Sequence, residues 1–164
     1  LTKEELINYI EDLSKNWLGI DGTGFQVAER EYGLERAIEL DVEQWKIFTV
    51  IEAKRIMKSF NIPKNGGIPA LVKALKFRVY ANINVQEILE VSENRCVFRM
   101  LNSRVHFSRQ STDLLGFLRI HVGVIVYGNF GKPIHTRLVT ICIRCIAYRH
   151  PLHCYLSCIL PLHA

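Results

Sequence analysis

Three groups of residues have the types and spacing to do chemistry. Glu52 falls on the apolar line Trp45, Phe48, Glu52, Ile56, Phe60, whose members recur at three- and four-residue steps, as one face of a helix does. A lone carboxylate at such a position is costly unless it is paired or protonated. Arg78 falls in the same way on the apolar face of the next segment, with Leu71, Ala74 and Leu75. The connection between the two segments is short, so they are expected to pack antiparallel, and a Glu52–Arg78 pair would satisfy both charges. Such a pair either closes a helix seam or floors a pocket. In the second case Glu52 is an acid/base or ligand anchor, with Arg78 and Trp45 as binding residues.

Asp21 stands in the run Ile20-Asp21-Gly22-Thr23-Gly24-Phe25. No strand precedes its Gly-x-Gly, which argues against a dinucleotide fingerprint. Asp21 either caps a following helix or, if this loop faces the same pocket, joins Glu52 as a second catalytic candidate. The third group lies in the tail: Cys142-x2-Cys145-x4-His150-x3-Cys154-x3-Cys158. Cys142, Cys145, His150 and Cys154 are candidate ligands for zinc or iron, because two thiolates on a tight turn plus a nearby His and Cys can close a tetrahedral shell. The spacing is one residue short of the zinc knuckle Cys-x2-Cys-x4-His-x4-Cys and lacks its glycine. In a regular strand Cys142 and Cys145 face opposite sides, so chelation needs a turn or bulge between them. The β-branched Ile141, Ile143 and Ile146 favour a strand, with Ile141, Ile143 and Cys145 lining the core and no metal bound. A redox Cys-x-x-Cys normally opens a helix, and nothing helical starts here.

The elements that must hold these residues follow from periodicity and punctuation. Thr2-Lys3-Glu4-Glu5 is a capping box, and Leu6, Tyr9, Ile10, Leu13 and Trp17 continue it as an apolar stripe. Gly19, Gly22 and Gly24 are expected to loosen the chain around Asp21. A second helix over Phe25–Tyr32 then stops at Gly33. A short helix over Leu34–Leu40 precedes a second capping-box pattern, Asp41-Val42-Glu43-Gln44, which opens a helix to about Phe60. Asn61-Ile62-Pro63 ends it, and Pro69 fits the first turn of a helix to about Ala81. From about Val85 the period changes. Cys96, Phe98 and Met100 alternate with Arg95, Val97 and Arg99, and Val122–Tyr127 and Leu138–Ile146 are β-branched runs, the latter with Val139, Ile141, Ile143 and Cys145 on one face. Helices followed by strands predict an α+β fold, N-terminal helices packed on a C-terminal antiparallel sheet. The expected unit is one domain over 1–164, helical over 1–82 and β-rich over 85–164.

Composition sets the outer bounds. With 164 residues, 49% apolar and 23% charged, the chain is neither disordered nor of low complexity. It has no apolar run of the ~20 residues a membrane helix needs. Its acidic opening residues have no signal-peptide character, so a cytoplasmic protein is expected, without a membrane partner. Five cysteines, an odd number, argue against a disulfide framework. The net charge of +5 hides a split: all 16 acidic residues lie in 1–113, while 114–164 hold basic residues and no acid. Such a tail is either a largely buried sheet or a surface for a polyanion.

Several blocks resemble a family of small uncharacterised cytosolic proteins from anaerobic bacteria and archaea, a domain of unknown function. They are Leu1–Trp17 with Leu18-Gly19-Ile20-Asp21-Gly22, Glu31-Tyr32-Gly33, Phe48–Lys58, the run Asn61-Ile62-Pro63-Lys64-Asn65-Gly66-Gly67-Ile68-Pro69 continuing to Arg78, Ser92–Met100 and Arg104-Val105. The resemblance is strong over 1–105. In the tail Cys142, Cys145, His150 and Pro151 match, but Ser103 and Arg119 stand where the family carries further cysteines, so a cysteine-bound metal would be incomplete here. The family also carries an aromatic residue where this chain has Gly24. The helical half is more faintly similar to 2-aminothiazoline-4-carboxylate hydrolase-like proteins, which implies a small-molecule pocket and a hydrolase-like role. The leading expectation is a protein that binds a small molecule or metal between helices and sheet, with a homo-oligomer a further option. The competing class is a nucleic-acid-binding module built on the basic tail and a knuckle-like Cys/His cluster, with Tyr127, Phe130, Arg137, Arg144, Tyr148 and Arg149 as its aromatic and basic residues.

Overall fold

The computed structural model describes residues 1–100, 119–146 and 153–161. At 119–122, 143–146 and 153–155 it is the backbone that is described. The chain opens with two long helices, α1 (Lys3–Tyr32) and α2 (Leu34–Ser59), joined through Gly33 alone. Gly33 has φ 83°, a left-handed value that a side chain resists, and its N–H donates to the Glu29 carbonyl to close α1. At the other end the capping box forms as read: the Glu5 N–H donates to Thr2 Oγ1 at 3.2 Å and the Thr2 N–H to Glu5 Oε2 at 2.7 Å.

Two expected breaks are absent. Residues 19–24 continue α1 without interruption, although three glycines fall within two turns. The Thr23 hydroxyl donates to the Gly19 carbonyl, and the helix is held on either side of the glycines by Ser14 and Phe25, both buried. Tertiary packing here outweighs weak local propensity. Asp41-Val42-Glu43-Gln44 likewise lies inside α2 and starts nothing. The Leu6–Trp17 stripe is helical as expected, but Leu6, Tyr9, Ile10 and Leu13 stay about half exposed, and of the five it is Trp17 that packs against the core.

Helix α2 ends where the pre-proline rule puts it. A turn with positive φ at Asn61, Asn65 and Gly67 leads into α3 (Gly67–Leu75). Helix α3 stops before Arg78, which has extended backbone and precedes a 3-10 turn, Val79–Asn82. Strands β1 (Gln86–Val91) and β2 (Arg95–Met100) follow as a hairpin. Then come α4 (Arg119–Gly131), β3 (Val139–Ile146) and β4 (His153–Ile159). Helix α4 contains Val122–Tyr127, which β-branching had marked as a strand. Val126 and Phe130, one turn apart, are buried together with Tyr127 beside them, and that helical spacing decides the element.

The sheet is antiparallel, in the order β1-β2-β4-β3. Its helix-facing side carries Cys96 and Phe98 of β2, Leu156 and Cys158 of β4 and Thr140 of β3, all buried. Helix α4 lies between α2 and β3, close enough that a Cβ added at Gly128 would touch Thr140 and one at Gly131 would touch Leu138. The fold is therefore α+β with helices on an antiparallel sheet. The facing of β3 is the reverse of the sequence reading: Val139 and Ile141 are 48% and 45% exposed, while Leu138 and Thr140 point inward. Among the described residues no helix is long and apolar enough to cross a membrane.

Candidate functional site

Glu52 and Arg78 meet as their positions on apolar faces required. The Arg78 Nε–H donates to Glu52 Oε2 at 2.9 Å, with the two side chains 1% and 8% exposed. The Val79 backbone N–H donates to the other oxygen, Oε1, at 3.0 Å. Arg78 does not project from a helix face, as its spacing implied. It leaves the chain between α3 and the 3-10 turn, and its extended backbone brings side chain and following N–H to one carboxylate together. Both oxygens of Glu52 thus hold the turn in place, which gives this carboxylate an anchoring geometry rather than that of a free acid or base.

The rest of the guanidinium is unusual. It packs against aromatic rings, its Cζ 4.7 Å from the Tyr127 ring centre and 4.6 Å from that of Phe130, with Tyr80 further off at 5.8 Å. Its two terminal nitrogens, Nη1 and Nη2, are buried and have no acceptor among the described residues. A buried polar group left in this state costs about 1–3 kcal/mol, and more when charged.

On the other side of Glu52 a cleft of about 350 Å³ opens between α1, α2 and the 3-10 turn. Trp17, Phe48, Ile56 and Phe77 give it apolar walls, Asn82 and Glu52 polar points, and the exposed Arg55 a positive rim. Trp45, a candidate binding residue, is 4% exposed and does not line the cleft. It backs the cleft through its edge contacts with Trp17 and Phe48, and it stacks on Tyr80 at 5.4 Å between ring centres. Sequence periodicity found Glu52, Trp45 and Phe48 but missed Tyr80, Tyr127 and Phe130. Tyr80 belongs to a 3-10 turn too short to show a period, and the other two sit in the helix mistaken for a strand.

Asp21 is not brought to Glu52. It lies within α1, does not cap a second helix, and is absent from the cleft wall. Its carboxylate accepts a 2.6 Å hydrogen bond from Gln44 Nε2 across the α1–α2 seam. Burial raises its pKa above the ordinary aspartate value, and the Gln44 bond partly offsets that. Desolvation, with a further contribution from the Asp21 charge, lifts the Tyr80 hydroxyl well above the ordinary tyrosine range.

The tail thiols occupy a strand that is not regular. The β3–β4 register shifts between Cys142 and Arg144. Cys142 pairs with Leu156 and, past the bulge, Cys145 pairs with Cys154. Leu156 and Cys154 are two residues apart on β4, so the bulge moves the Cys142 and Cys145 positions onto one side of the sheet, where an unbroken strand would have separated them. Cys142 is half-buried, and Cys96 and Cys158 are free and buried. His150 lies outside the described residues. Among the described residues no three His, Cys, Asp or Glu side chains are grouped as a metal would require.

The helical hairpin, the sheet and the buried ion pair between them define an α+β domain with an aromatic-lined cleft. The chain belongs to the family of unknown function DUF6125, whose model matches residues 1–161 and so extends well past residue 105, where the quoted motifs thin out. No curated protein and no solved structure matches it.

Proposed function

We propose that this protein binds a small organic molecule bearing a carboxylate or similar oxygen acceptor at the Glu52–Arg78 pair and the cleft beside it. The observation that carries this reading is the Arg78 fork, whose two terminal nitrogens are buried without an acceptor among the described residues. A guanidinium fixed by Glu52 through Nε alone keeps two terminal NH₂ groups for a planar acceptor, the geometry in which arginine takes carboxylates bidentately. Tyr127 and Phe130 form a low-dielectric wall that strengthens such a bond. The aromatic cleft reaches Glu52, though not Arg78, from outside and suits an apolar or aromatic body, so a ligand's acceptor meets the buried fork only if the carboxylate side of the pair gives way. A hydrolase-like activity on such a molecule would need a general acid or base besides Glu52, whose two oxygens are engaged.

The test uses benzoate as an aromatic carboxylate and benzamide as its neutral partner, followed by thermal unfolding, with native mass spectrometry of protein purified without added ligand. Benzoate is expected to raise the unfolding midpoint of the wild type. It should not do so in the double variant Glu52→Met/Arg78→Met, which removes both buried charges together. No shift with benzoate, together with no retained mass, would overturn the reading.

A second reading, zinc or iron held by the tail thiols, is favoured by one observation, the bulge that puts the Cys142 and Cys145 positions on one side opposite Cys154. Its test is elemental analysis of the purified chain. Stoichiometric metal, lost in Cys142→Ser, is the supporting result, and metal-free folded protein is the opposing one.

A further inference from the structure

The first helix carries an apolar line that nothing among the described residues covers. Leu6, Tyr9, Leu13, Ile20 and Val27 are 44%, 55%, 48%, 71% and 47% exposed. They are spaced by three, four, seven and seven residues, which keeps them on one side of α1 along most of its length. Their inward neighbours Ser14 and Phe25 are buried against the rest of the fold, so this is a second face, additional to the one that packs on α2.

The spacing is self-complementary. If a second α1 lies antiparallel to the first with a two-fold axis between residues 16 and 17, Leu13 stands level with Ile20 of the other copy and Leu6 with Val27. Tyr9, the bulkiest residue of the line, then stands level with Gly24, which has open space around its missing Cβ. A two-fold interface requires this mirrored pairing of one patch with itself; the even seven-residue spacing of Leu6, Leu13, Ile20 and Val27 allows it, and the space at Gly24 accommodates the Tyr9 ring. The area is also of the right size. Five side chains about half exposed leave on the order of 500 Å² of mostly apolar surface, close to the apolar share of the roughly 800 Å² each partner contributes to a standard interface.

We infer that this chain forms a two-fold homodimer through antiparallel packing of α1 against α1 of a second copy. Trp17, a wall of the cleft, stands beside the two-fold axis, but the inference is drawn from the outward line of α1 and does not rest on the proposed ligand.

The experiment is sedimentation equilibrium of the full chain across a wide concentration range, beside the double variant Leu13→Lys/Ile20→Lys. Both positions are exposed, so the variant should keep the wild-type helical circular dichroism. The wild type is expected to sediment as a dimer and the folded variant as a monomer. Chains carrying Leu13→Cys and Ile20→Cys, mixed and oxidised, should cross-link to each other, and neither should cross-link to itself. A monomeric wild type, a dimer indifferent to the two lysines, or self-cross-linking of Leu13→Cys would each overturn the inference. The last would mean parallel helices, and the first would leave the face to another segment of this chain or to a different protein.

Discussion

Replacing Glu52 by Gln keeps its size and removes its charge, leaving the Arg78 guanidinium buried without a counter-ion. Breaking a buried pair from one side typically costs about 3–5 kcal/mol, so Glu52→Gln should lower the denaturation midpoint sharply. Glu52→Met/Arg78→Met should recover much of that loss, and urea titrations of the two variants would show it. Asp21 behaves in the opposite sense. Its folded-state pKa lies above the ordinary value of 3.8, so above that pH the unfolded chain gives up the proton more readily and the charge opposes folding. Asp21→Asn should therefore raise the thermal midpoint at neutral pH, with the gain fading as the pH falls to about 4. Cys96 gives an alkaline signature. Burial, then the neighbouring Cys158 and Glu90, push its thiol from 9.0 to about 12. Between those values the unfolded chain is ionised at Cys96 while the folded one is not, so stability falls with a slope approaching 1.4 kcal/mol per pH unit from this residue. Cys96→Ala should flatten the slope, and the native thiol should resist alkylation at pH 8.

At the scale of elements, the glycines of α1 make the clearest prediction. Nothing lies within 4 Å of a Cβ built at Gly19 or Gly22, and both are helical. Changing either to Ala should stabilise the fold by about 0.5–1 kcal/mol, readable as a higher midpoint in circular dichroism. The same glycines show why the continuity of α1 was hidden in the sequence, although its cap at Thr2 and its stop at Gly33 were legible. Thr2 and Glu5 announce its start because a cap is a local interaction, whereas its continuation past Gly24 depends on α2, distant in sequence at that point. The ion pair was legible because a charge on an apolar face has few solutions. The route by which Arg78 reaches Glu52 was not, since it depends on the chain turning extended for one residue between two helical turns. The facing of β3 was hidden for a related reason: Val139 and Ile141 are the more apolar set, but α4 covers the side that carries Leu138 and Thr140.

Over the whole molecule, the absence of acidic residues beyond 113 is explained in part by burial. Among the described residues of the tail, Leu138, Thr140, Leu156, Ser157 and Cys158 are buried, while Lys132 and Arg137 are exposed. Two separate cations on a loop are not a groove. Fluorescence polarisation with single-stranded RNA should accordingly show no binding beyond a weak component that vanishes between low and physiological salt. A salt-resistant component would favour the nucleic-acid reading instead.

The strand order carries a consequence for how this protein comes into being. β4 sits between β2 and β3, yet it is the last of the four to leave the ribosome. The β1–β2 hairpin can close early from neighbouring residues, but one edge of β2 then waits, its amides and carbonyls open, through the whole synthesis of α4 and β3. β3 waits in the same way, for want of the same neighbour. Edges held open during translation are where chains pair with the wrong partner. The helical hairpin can assemble on its own schedule, while the sheet is completed late, around a strand that arrives only after the elements on both sides of it.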